Sequence, residues 1–246
     1  MTGAKKAVRS ARKALSWLII FLQGLHTLLF VICTFPIAWL DIKALMAPLL
    51  RYWAWVLFFL AGKRVHVKGR HHLDRSRNYL LVANHTSYYD APGIMTVIPR
   101  VAWLGRSMLI RIPVLASFLR ATHFIPVYRG DPIRSKRAID DAIKEASQLT
   151  IAIFPEGTRT GHGGLNPFKK GFIHIMRGSN LDILPVTLNG FYRFMPRHGF
   201  VIDPRARLEI IIHPPISREA LLEKTNDEIV DIVRGVIDSE NRNVHA

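Results

Sequence analysis

The sequence of 246 residues contains a single cysteine, and this scarcity excludes several kinds of site. Cys33 has no second cysteine with which to form an intramolecular disulfide bond, and no thiol pair is available to hold zinc. The histidines supply no metal motif, because His71 and His72 are adjacent and no His-Glu-x-x-His sequence occurs. A Gly-x-Ser-x-Gly elbow, which would expose a nucleophilic serine, is absent as well. We therefore predict no metal site and no serine hydrolase.

Acidic residues are also scarce, at 18 against 34 basic ones, so the formal net charge is +16. A surface of this charge attracts anionic lipid head groups and acidic proteins, and it would equally attract nucleic acid. The basic residues cluster at 5–13, 63–72 and 129–137, but no recognisable nucleic-acid-binding motif accompanies them. We therefore expect anionic membrane lipids and acidic proteins as partners, and no nucleic acid.

Charged residues are missing from a long stretch near the N-terminus. Residues 15–40 are uncharged and long enough to cross a bilayer as a helix, and a second apolar run covers residues 44–62. The aromatic residues of the second run favour the membrane–water interface. Pro36 and Pro48 can kink these helices, which leaves open whether they span the bilayer or enter a single leaflet. Five preceding basic residues predict a cytoplasmic start.

Strand and helix patterns alternate from about residue 65 onward. Such alternation predicts an α/β domain with a mixed, largely parallel sheet flanked by helices. The expected boundary lies near Gly62, which divides the chain into an N-terminal region, 1–62, and a domain, 63–246. The predicted strands are 65–67, 79–83, 123–127, 150–154, 182–188 and 207–212, and the predicted helices are 91–97 (broken at Pro92), 108–119, 131–149, 172–176 and 218–239.

Polar residues at 84–90, NHTSYYD, follow the predicted strand 79–83. Imidazole titrates near neutral pH and can take a proton from a hydroxyl, while a carboxylate bound to its other nitrogen fixes the tautomer. His85 and Asp90 have a spacing that suits such a pair. The same residues also fit a helix N-terminus without chemistry, in which Ser87 caps the helix and Asp90 interacts favourably with the helix dipole.

A second polar segment, FPEGTR at 154–159, follows the predicted strand 150–154. Gly157 lets the backbone turn tightly, Thr158 adds a hydroxyl, and Arg159 offers a planar donor fork that matches phosphate oxygens. Ligands of open α/β sheets gather outside the carboxyl ends of strands. The alternative is an ordinary strand-to-helix turn with a solvated arginine.

The two segments together, in this order, resemble the glycerolipid acyltransferases, and most closely the 1-acylglycerol-3-phosphate acyltransferases. Two further blocks agree in order and spacing: FIPVYR at 124–129 resembles the second block of that family, and ILPVT at 183–187 resembles its fourth. The similarity covers roughly residues 65–215. It implies a two-helix, membrane-attached hairpin before the catalytic domain.

The resemblance also implies roles for individual residues. His85 would remove the proton from a lysophospholipid hydroxyl as it attacks a thioester, and Asp90 would orient the imidazole. One departure bears on the choice of substrate, because Met108 stands where related bacterial enzymes commonly have a glutamate. The remaining expected site residues are Arg159, Arg129 and Arg106 for phosphate binding, Glu156, Gly157 and Thr158 for the acceptor-site loop, and Asn84, Ser87 and Pro185 in support.

The function implied is that of a membrane-bound O-acyltransferase. It would transfer a fatty acyl chain from acyl-CoA or acyl carrier protein to 1-acylglycerol-3-phosphate, giving phosphatidic acid, and would need no other cofactor. Acylation of another lysolipid, such as a lyso-ornithine lipid, and non-catalytic binding of anionic lipids are the alternatives. The expected location is the bacterial inner membrane, with the catalytic domain on the cytoplasmic face.

Overall fold

The sheet of the protein is mixed and largely parallel, as predicted. A computed structural model describes residues 3–40, 42–98, 100–111, 116, 119, 122–128, 130–145 and 148–243. Within them, seven strands form the sheet: β1 (Val65–Lys68), β2 (Tyr79–Ala83), β3 (Val101–Arg106), β4 (Ile125–Val127), β5 (Thr150–Ile153), β6 (Asp182–Asn189) and β7 (Leu208–Ile212). Their order is β1-β7-β6-β2-β5-β3-β4, and all pairs are parallel except β6 with β7.

Helices precede and flank this sheet. The α-helices are α1 (Gly3–Trp39), α2 (Lys43–Leu60), α3 (Asp90–Val97), α4 (Pro132–Glu145), α5 (Gly171–Gly178), α6 (Phe191–Phe194), α7 (Glu219–Leu222) and α8 (Asn226–Ser239). Short 3₁₀ turns occupy Arg70–His72 and Ser107–Arg111. The prediction of an α/β domain after two N-terminal helices is therefore confirmed.

Two elements near the middle of the chain differ from the sequence-based expectation. Strand β3 was not predicted; its Gly105 lowers strand propensity, but a Cβ there would lie 2.5 Å from the ring of Phe124, so packing requires the glycine. Helix α3 is continuous rather than broken. Pro92 lies in its first turn, where the backbone N–H has no helical partner to lose.

Two predicted helices are shorter than expected. The predicted helix 218–239 is divided into α7 and α8, because Thr225 and Glu228 form a capping box that starts α8. The predicted helix 108–119 is a 3₁₀ turn up to Arg111, and most of its remainder lies outside the described residues.

Both faces of the sheet are covered, so its central strand is buried throughout. Along β2, Leu80 and Val82 point to one face and Leu81 to the other, as the period of two in a strand requires. The first face packs against α4, α5 and α8, and the second packs against α3 and α6. Phe58 and Ala61, at the end of α2, belong to the same buried cluster as Leu81. The N-terminal region therefore contributes to the core of the α/β domain.

Helices α1 and α2 pack against each other as an antiparallel hairpin. The amide of Gln23 donates to the carbonyl oxygen of Leu57 at 2.7 Å, and the indole of Trp53 donates to the hydroxyl of Thr27 at 3.2 Å. Residues 9–39 of α1 are long and apolar enough to cross a membrane, and an 18-residue window within them has a mean hydropathy of 2.2. Helix α2 has a shorter apolar stretch. Large hydrophobic side chains remain exposed along both helices, which is typical of surfaces in contact with lipid.

A hydrogen bond joins the hairpin to the start of α3. The hydroxyl of Tyr89 donates to the side-chain oxygen of Gln23, and both side chains are buried. Burial raises the pKa of the Tyr89 hydroxyl to about 12, so this hydroxyl keeps its proton. The side-chain oxygen of Gln23 is thus hydrogen-bonded to the α/β domain, and its nitrogen is hydrogen-bonded to α2.

We predict that the substitution Tyr89→Phe destabilises the protein by about 1–3 kcal/mol, because it leaves the oxygen of Gln23 buried without a donor. The measurement is thermal unfolding of the purified protein in detergent. Tyr52→Phe is the matched control, since Tyr52 lies on α2 and is 60% exposed. Equal melting temperatures for the two variants would contradict the prediction.

Candidate functional site

The two polar segments singled out in the sequence lie side by side at one edge of the sheet. Strands β2 and β5 are parallel neighbours, with Leu80 opposite Ile151 and Val82 opposite Ile153. Their carboxyl ends therefore meet, and the segments that follow them leave the sheet together. This is the edge at which α/β proteins bind ligands.

His85 and Asp90 form a hydrogen-bonded pair in the segment after β2. The Nδ1 atom of His85 lies 2.9 Å from a carboxylate oxygen of Asp90, whose side chain is fully buried. The same oxygen accepts hydrogen bonds from the backbone amides of Thr86, at 2.5 Å, and Ser87, at 2.7 Å. Because this oxygen acts as an acceptor, Nδ1 carries a proton, and in the neutral imidazole Nε2 therefore keeps a free lone pair.

The imidazole of His85 is accessible from outside. Its side chain is 23% exposed, and its ring stacks on that of Phe154 with centroids 4.2 Å apart. The stacking and the bond to Asp90 fix the ring from two directions. Nε2 is thus held as a proton acceptor at a defined position.

Ser87 does not cap α3, contrary to one interpretation of its position. The helix begins at Asp90 without a side-chain cap, and the Ser87 hydroxyl donates to the carbonyl oxygen of Met195 at 2.8 Å. The reason is that Asp90 itself turns back to bind the amides before the helix. Ser87 instead ties this segment to the end of α6.

The segment after β5 is bonded directly to the backbone of His85. One carboxyl oxygen of Glu156 accepts from the His85 amide at 2.7 Å, and the other accepts from the Asn166 amide at 2.8 Å. The Thr160 amide donates to the carbonyl oxygen of His85 at 2.8 Å. The amide and the carbonyl of His85 are therefore both held by the neighbouring segment.

The loop after β5 is also closed on itself. Gly157 has a φ of +64°, a left-handed conformation that glycine adopts without strain, and the chain turns tightly there. The carbonyl oxygen of Thr158 accepts a hydrogen bond from the Asn166 side chain at 3.4 Å. The structure therefore places the three residues predicted for the acceptor-site loop, Glu156, Gly157 and Thr158, in one tight turn beside His85.

Arg159 lies against the aromatic ring of Tyr88, which follows His85 by three positions. Its guanidinium carbon is 3.5 Å from the ring centroid, a cation–π contact. Among the described residues, the buried Nη1 atom of Arg159 has no hydrogen-bond partner. A buried guanidinium nitrogen without an acceptor favours an anionic ligand at this position, because an unmade hydrogen bond of a charged group is costly.

The supporting residues lie behind this edge rather than on it. Asn84 is buried and exchanges two hydrogen bonds with the backbone of Leu188, at 2.7 Å and 3.1 Å, which fixes the end of β2 against β6. Pro185 lies in β6 opposite Val82, and its carbonyl oxygen points away from β2 to accept from the His213 amide. Its missing N–H is therefore not needed for the pairing with β2. Both residues therefore support this edge from within the sheet.

The other two residues predicted to bind phosphate are Arg106 and Arg129. Arg106 is the last residue of β3, the strand next to β5, so its backbone reaches the same edge of the sheet. Arg129 lies outside the described residues. No local pattern in the sequence singles out Tyr88 or Asn166, because their roles depend on contacts that involve the segment after β5.

No group of three or more histidine, cysteine, aspartate and glutamate residues that could hold a metal ion occurs in the described ranges. The edge presents an imidazole, two buried carboxyl groups and a guanidinium. Such groups can accept a proton and bind an anion.

A model of the family described as Acyltransferase matches residues 64–189, which is more than half of the chain. The chain belongs to the acyltransferase family. It is 29% identical over 194 residues to a 1-acyl-sn-glycerol-3-phosphate acyltransferase of Limnanthes alba, a match covering 78% of this chain and 67% of that protein. It is 28% identical over 186 residues to the 1-acyl-sn-glycerol-3-phosphate acyltransferase alpha of Mus musculus, and this match covers 72% of this chain and 63% of that protein. The predicted resemblance to glycerolipid acyltransferases is confirmed.

The fold of this acyltransferase also has a solved counterpart. The crystal structure of the 1-acyl-sn-glycerophosphate acyltransferase PlsC from Thermotoga maritima aligns with a TM-score of 0.82 at 22% identity, covering 96% of this chain and 98% of that one. The likeness includes nearly the whole chain, and therefore the helices before the sheet as well as the α/β domain.

Glu156 is the acidic group of the acyltransferase whose proton affinity is most clearly altered at this edge. Burial raises the pKa of its carboxyl to about 7, and the hydrogen bonds from the amides of Asn166 and His85 oppose that change. The folded state therefore binds the proton more tightly than the unfolded state does. This stabilising contribution is complete below about pH 4.5, the ordinary value, and is lost as the pH rises through about 7.

We predict that the free energy of unfolding falls by roughly 3 kcal/mol between about pH 4.5 and pH 8 through Glu156, and that Glu156→Gln removes this part of the pH dependence. The measurement is denaturant unfolding of both proteins across this range, since their difference isolates Glu156 from other titrating groups. Glu223→Gln, which changes an exposed carboxylate, is the control and should keep the wild-type profile. Parallel profiles for wild type and Glu156→Gln would contradict the prediction.

Proposed function

We propose that the protein transfers a fatty acyl chain from a thioester to the free hydroxyl of 1-acylglycerol-3-phosphate, giving phosphatidic acid. The single observation that carries this proposal is the hydrogen bond of 2.9 Å between His85 and Asp90, which leaves Nε2 of a partly exposed imidazole free to accept a proton. The names of the relatives, which are 1-acyl-sn-glycerol-3-phosphate acyltransferases, support the choice of acceptor.

The proposed reaction needs no covalent acyl-enzyme. Nε2 of His85 takes the proton of the acceptor hydroxyl as its oxygen attacks the thioester carbonyl, and Asp90 stabilises the imidazolium through Nδ1. The tetrahedral intermediate then collapses, the carbon–sulfur bond breaks, and the imidazolium returns its proton to the thiolate. The product is a diacyl lipid and a free thiol, so the step uses no cofactor besides the acyl donor.

The phosphate of the acceptor is proposed to bind Arg159. The guanidinium of Arg159 lies on the Tyr88 ring, and its buried Nη1 has no hydrogen-bond partner among the described residues. Arg106 and Arg129 are proposed to assist, the first from the end of β3. Holding the phosphate at this edge would place the glycerol hydroxyl near His85, which is catalysis by positioning.

The donor is proposed to be acyl-CoA or acyl carrier protein. Both carry many negative charges, and the net charge of +16 suits either of them. Other lysolipids, such as a lyso-ornithine lipid, are the second candidate class of acceptor, because Met108 replaces the glutamate found in related bacterial enzymes. A protein that binds anionic lipids without turnover is the non-enzymatic alternative.

The location proposed is the cytoplasmic face of a bacterial inner membrane, with the hairpin of α1 and α2 as the attachment. The apolar stretch 9–39 and the exposed hydrophobic side chains of both helices support attachment. The basic residues at 5–13, which precede the uncharged run 15–40, support the cytoplasmic orientation. A lysolipid acceptor would then reach the enzyme from the same membrane.

We predict that His85→Ala lowers kcat by about 10²–10⁴-fold, because the general base is lost, while the protein still fractionates with membranes. The assay uses labelled acyl-CoA and acyl carrier protein with a panel of lysolipids, and separates the products by head group. His71→Ala, at an exposed histidine of a 3₁₀ turn, is the matched control. Full activity of His85→Ala would refute the proposed mechanism, and absence of transfer by the wild type would favour the non-catalytic alternative.

We predict that Arg159→Ala raises KM about tenfold or more for an acceptor that carries a phosphate, and much less for a neutral lysolipid or monoacylglycerol. The comparison uses the same acyl donor throughout, so that only the head group varies. The control is Arg70→Ala, which removes an exposed positive charge after β1. The carboxyl end of β1 lies at the opposite edge of the sheet. This variant should leave KM unchanged for both the charged and the neutral acceptor. If Arg159→Ala raised KM equally for charged and neutral acceptors, the proposed role of Arg159 in phosphate binding would be contradicted.

A further inference from the structure

The segment that follows α8, residues 240–243, lies at the same edge of the sheet as the candidate site. We call it the α8 tail. It binds the carboxyl end of β6, a strand that is parallel to β2 and therefore ends at this edge. The side chain of Asn189, the last residue of β6, donates to the carbonyl oxygen of Glu240 at 2.7 Å and accepts from the amide of Arg242 at 2.8 Å. The α8 tail is thus fastened to the strand that flanks the proposed base.

Asn243 anchors the far end of the α8 tail. It is only 2% exposed, its Nδ2 atom donates to the carbonyl oxygen of Leu188 at 2.7 Å, and its Oδ1 atom accepts from the amide of Gly190 at 2.9 Å. The same oxygen of Leu188 accepts from the side chain of Asn84 at 3.1 Å, and Asn84 directly precedes His85. Two asparagines that are far apart in sequence therefore bind one carbonyl group behind the site.

The backbone of Asn243 also contacts the loop that continues from Arg159. A Cβ on Gly163 would lie 2.6 Å from the carbonyl oxygen of Asn243, so a glycine is needed for this close approach. Gly163 also has a φ of +83°, which glycine adopts without strain. The sequence after Arg159 is thus suited to lie directly on the α8 tail.

This loop, residues 160–164, has two other attachments to the described part of the chain. The amide of Thr160 donates to the carbonyl oxygen of His85 at 2.8 Å, and the hydroxyl of Tyr192 donates to the carbonyl oxygen of Gly161 at 2.9 Å. The remaining hydrogen bonds described for the loop are internal. Both attachments hold the first half of the loop, so the α8 tail is the support of the second half.

We infer that Asn243 is a positioning residue for the phosphate of the acceptor, because it anchors the α8 tail against Gly163 and so holds the loop that continues from Arg159. The inference rests on the proposed function, in which Arg159 binds that phosphate. The side chain of Asn243 is used up by the end of β6, so it acts through the loop and not by binding the ligand. Its contribution is therefore selective for acceptors that need Arg159.

The first test is Asn243→Ala, which releases the α8 tail from Leu188 and Gly190. KM for lysophosphatidic acid should rise about tenfold, because a phosphate-binding group that is out of place binds poorly, while KM for a neutral lysolipid and kcat for both acceptors should stay as in the wild type. A mere loss of folded protein would lower the apparent kcat for both acceptors and leave both KM values unchanged. Arg242→Ala is the matched control, since it removes a side chain of the same tail that is paired with Glu209 of β7, and it should leave both KM values unchanged.

A second variant, Gly163→Ala, separates the loop from the α8 tail without removing any contact of Asn243 with β6. Its methyl group would meet the carbonyl oxygen of Asn243, so KM should rise with the same selectivity for the phosphate-bearing acceptor. Gly62→Ala is the matched control, because Gly62 has a similar φ of +62° but a Cβ there would have no neighbouring atom within 4 Å. This control carries the same backbone strain without the collision, and it should behave as the wild type.

Hydrogen exchange supplies a readout that does not depend on turnover. The amides of residues 160–164 should exchange faster in Asn243→Ala than in the wild type or in Arg242→Ala. If the wild type transfers acyl chains but neither Asn243→Ala nor Gly163→Ala changes the ratio of KM for the charged acceptor to KM for the neutral one, the inference is overturned and the proposed function stands. Absence of transfer by the wild type would overturn both.

Discussion

The burial of the Asp90 carboxylate is the constraint on which the site depends. A carboxylate that is fully removed from water must be surrounded by donors, and here the donors are the amides of Thr86 and Ser87 and the imidazole of His85. To bring these donors to the carboxylate, the chain after β2 must form a tight turn, and this turn sets the start of α3. The same turn places Ser87 at the end of α6 and the next residue against the guanidinium of the segment after β5. One buried carboxylate thus organises contacts from three separate parts of the domain.

A second set of bonds ties this turn to the segment after β5. Glu156 accepts from the His85 amide, and the Thr160 amide donates to the His85 carbonyl oxygen, so the backbone of His85 is held on both sides. His85, the proposed base, and Arg159, the residue proposed to bind phosphate, therefore belong to one rigid edge, although they follow different strands. Rigid placement of this kind is what catalysis by positioning requires.

Much of the fold and of the site could be predicted from local patterns. The apolar runs of β2 and β5 end directly before polar residues, and because parallel strands share an edge, the closeness of His85 and Arg159 follows from sequence order and strand pairing. Long-range packing could not be predicted. Strand β3 tolerates Gly105 only because the Phe124 ring fills the space beside it. Likewise, nothing near Gln23 in the sequence indicates that its partners lie on α2 and at the start of α3.

The end of α2 has a consequence for how this protein can be produced and handled. Phe58 and Ala61 complete the buried cluster that includes Leu81. A shortened version beginning at residue 63 would therefore leave a hole in that cluster and expose apolar surface to solvent. We therefore expect a fragment without the hairpin to aggregate instead of staying in solution. The hairpin, proposed as the membrane attachment, is thus also a structural part of the globule.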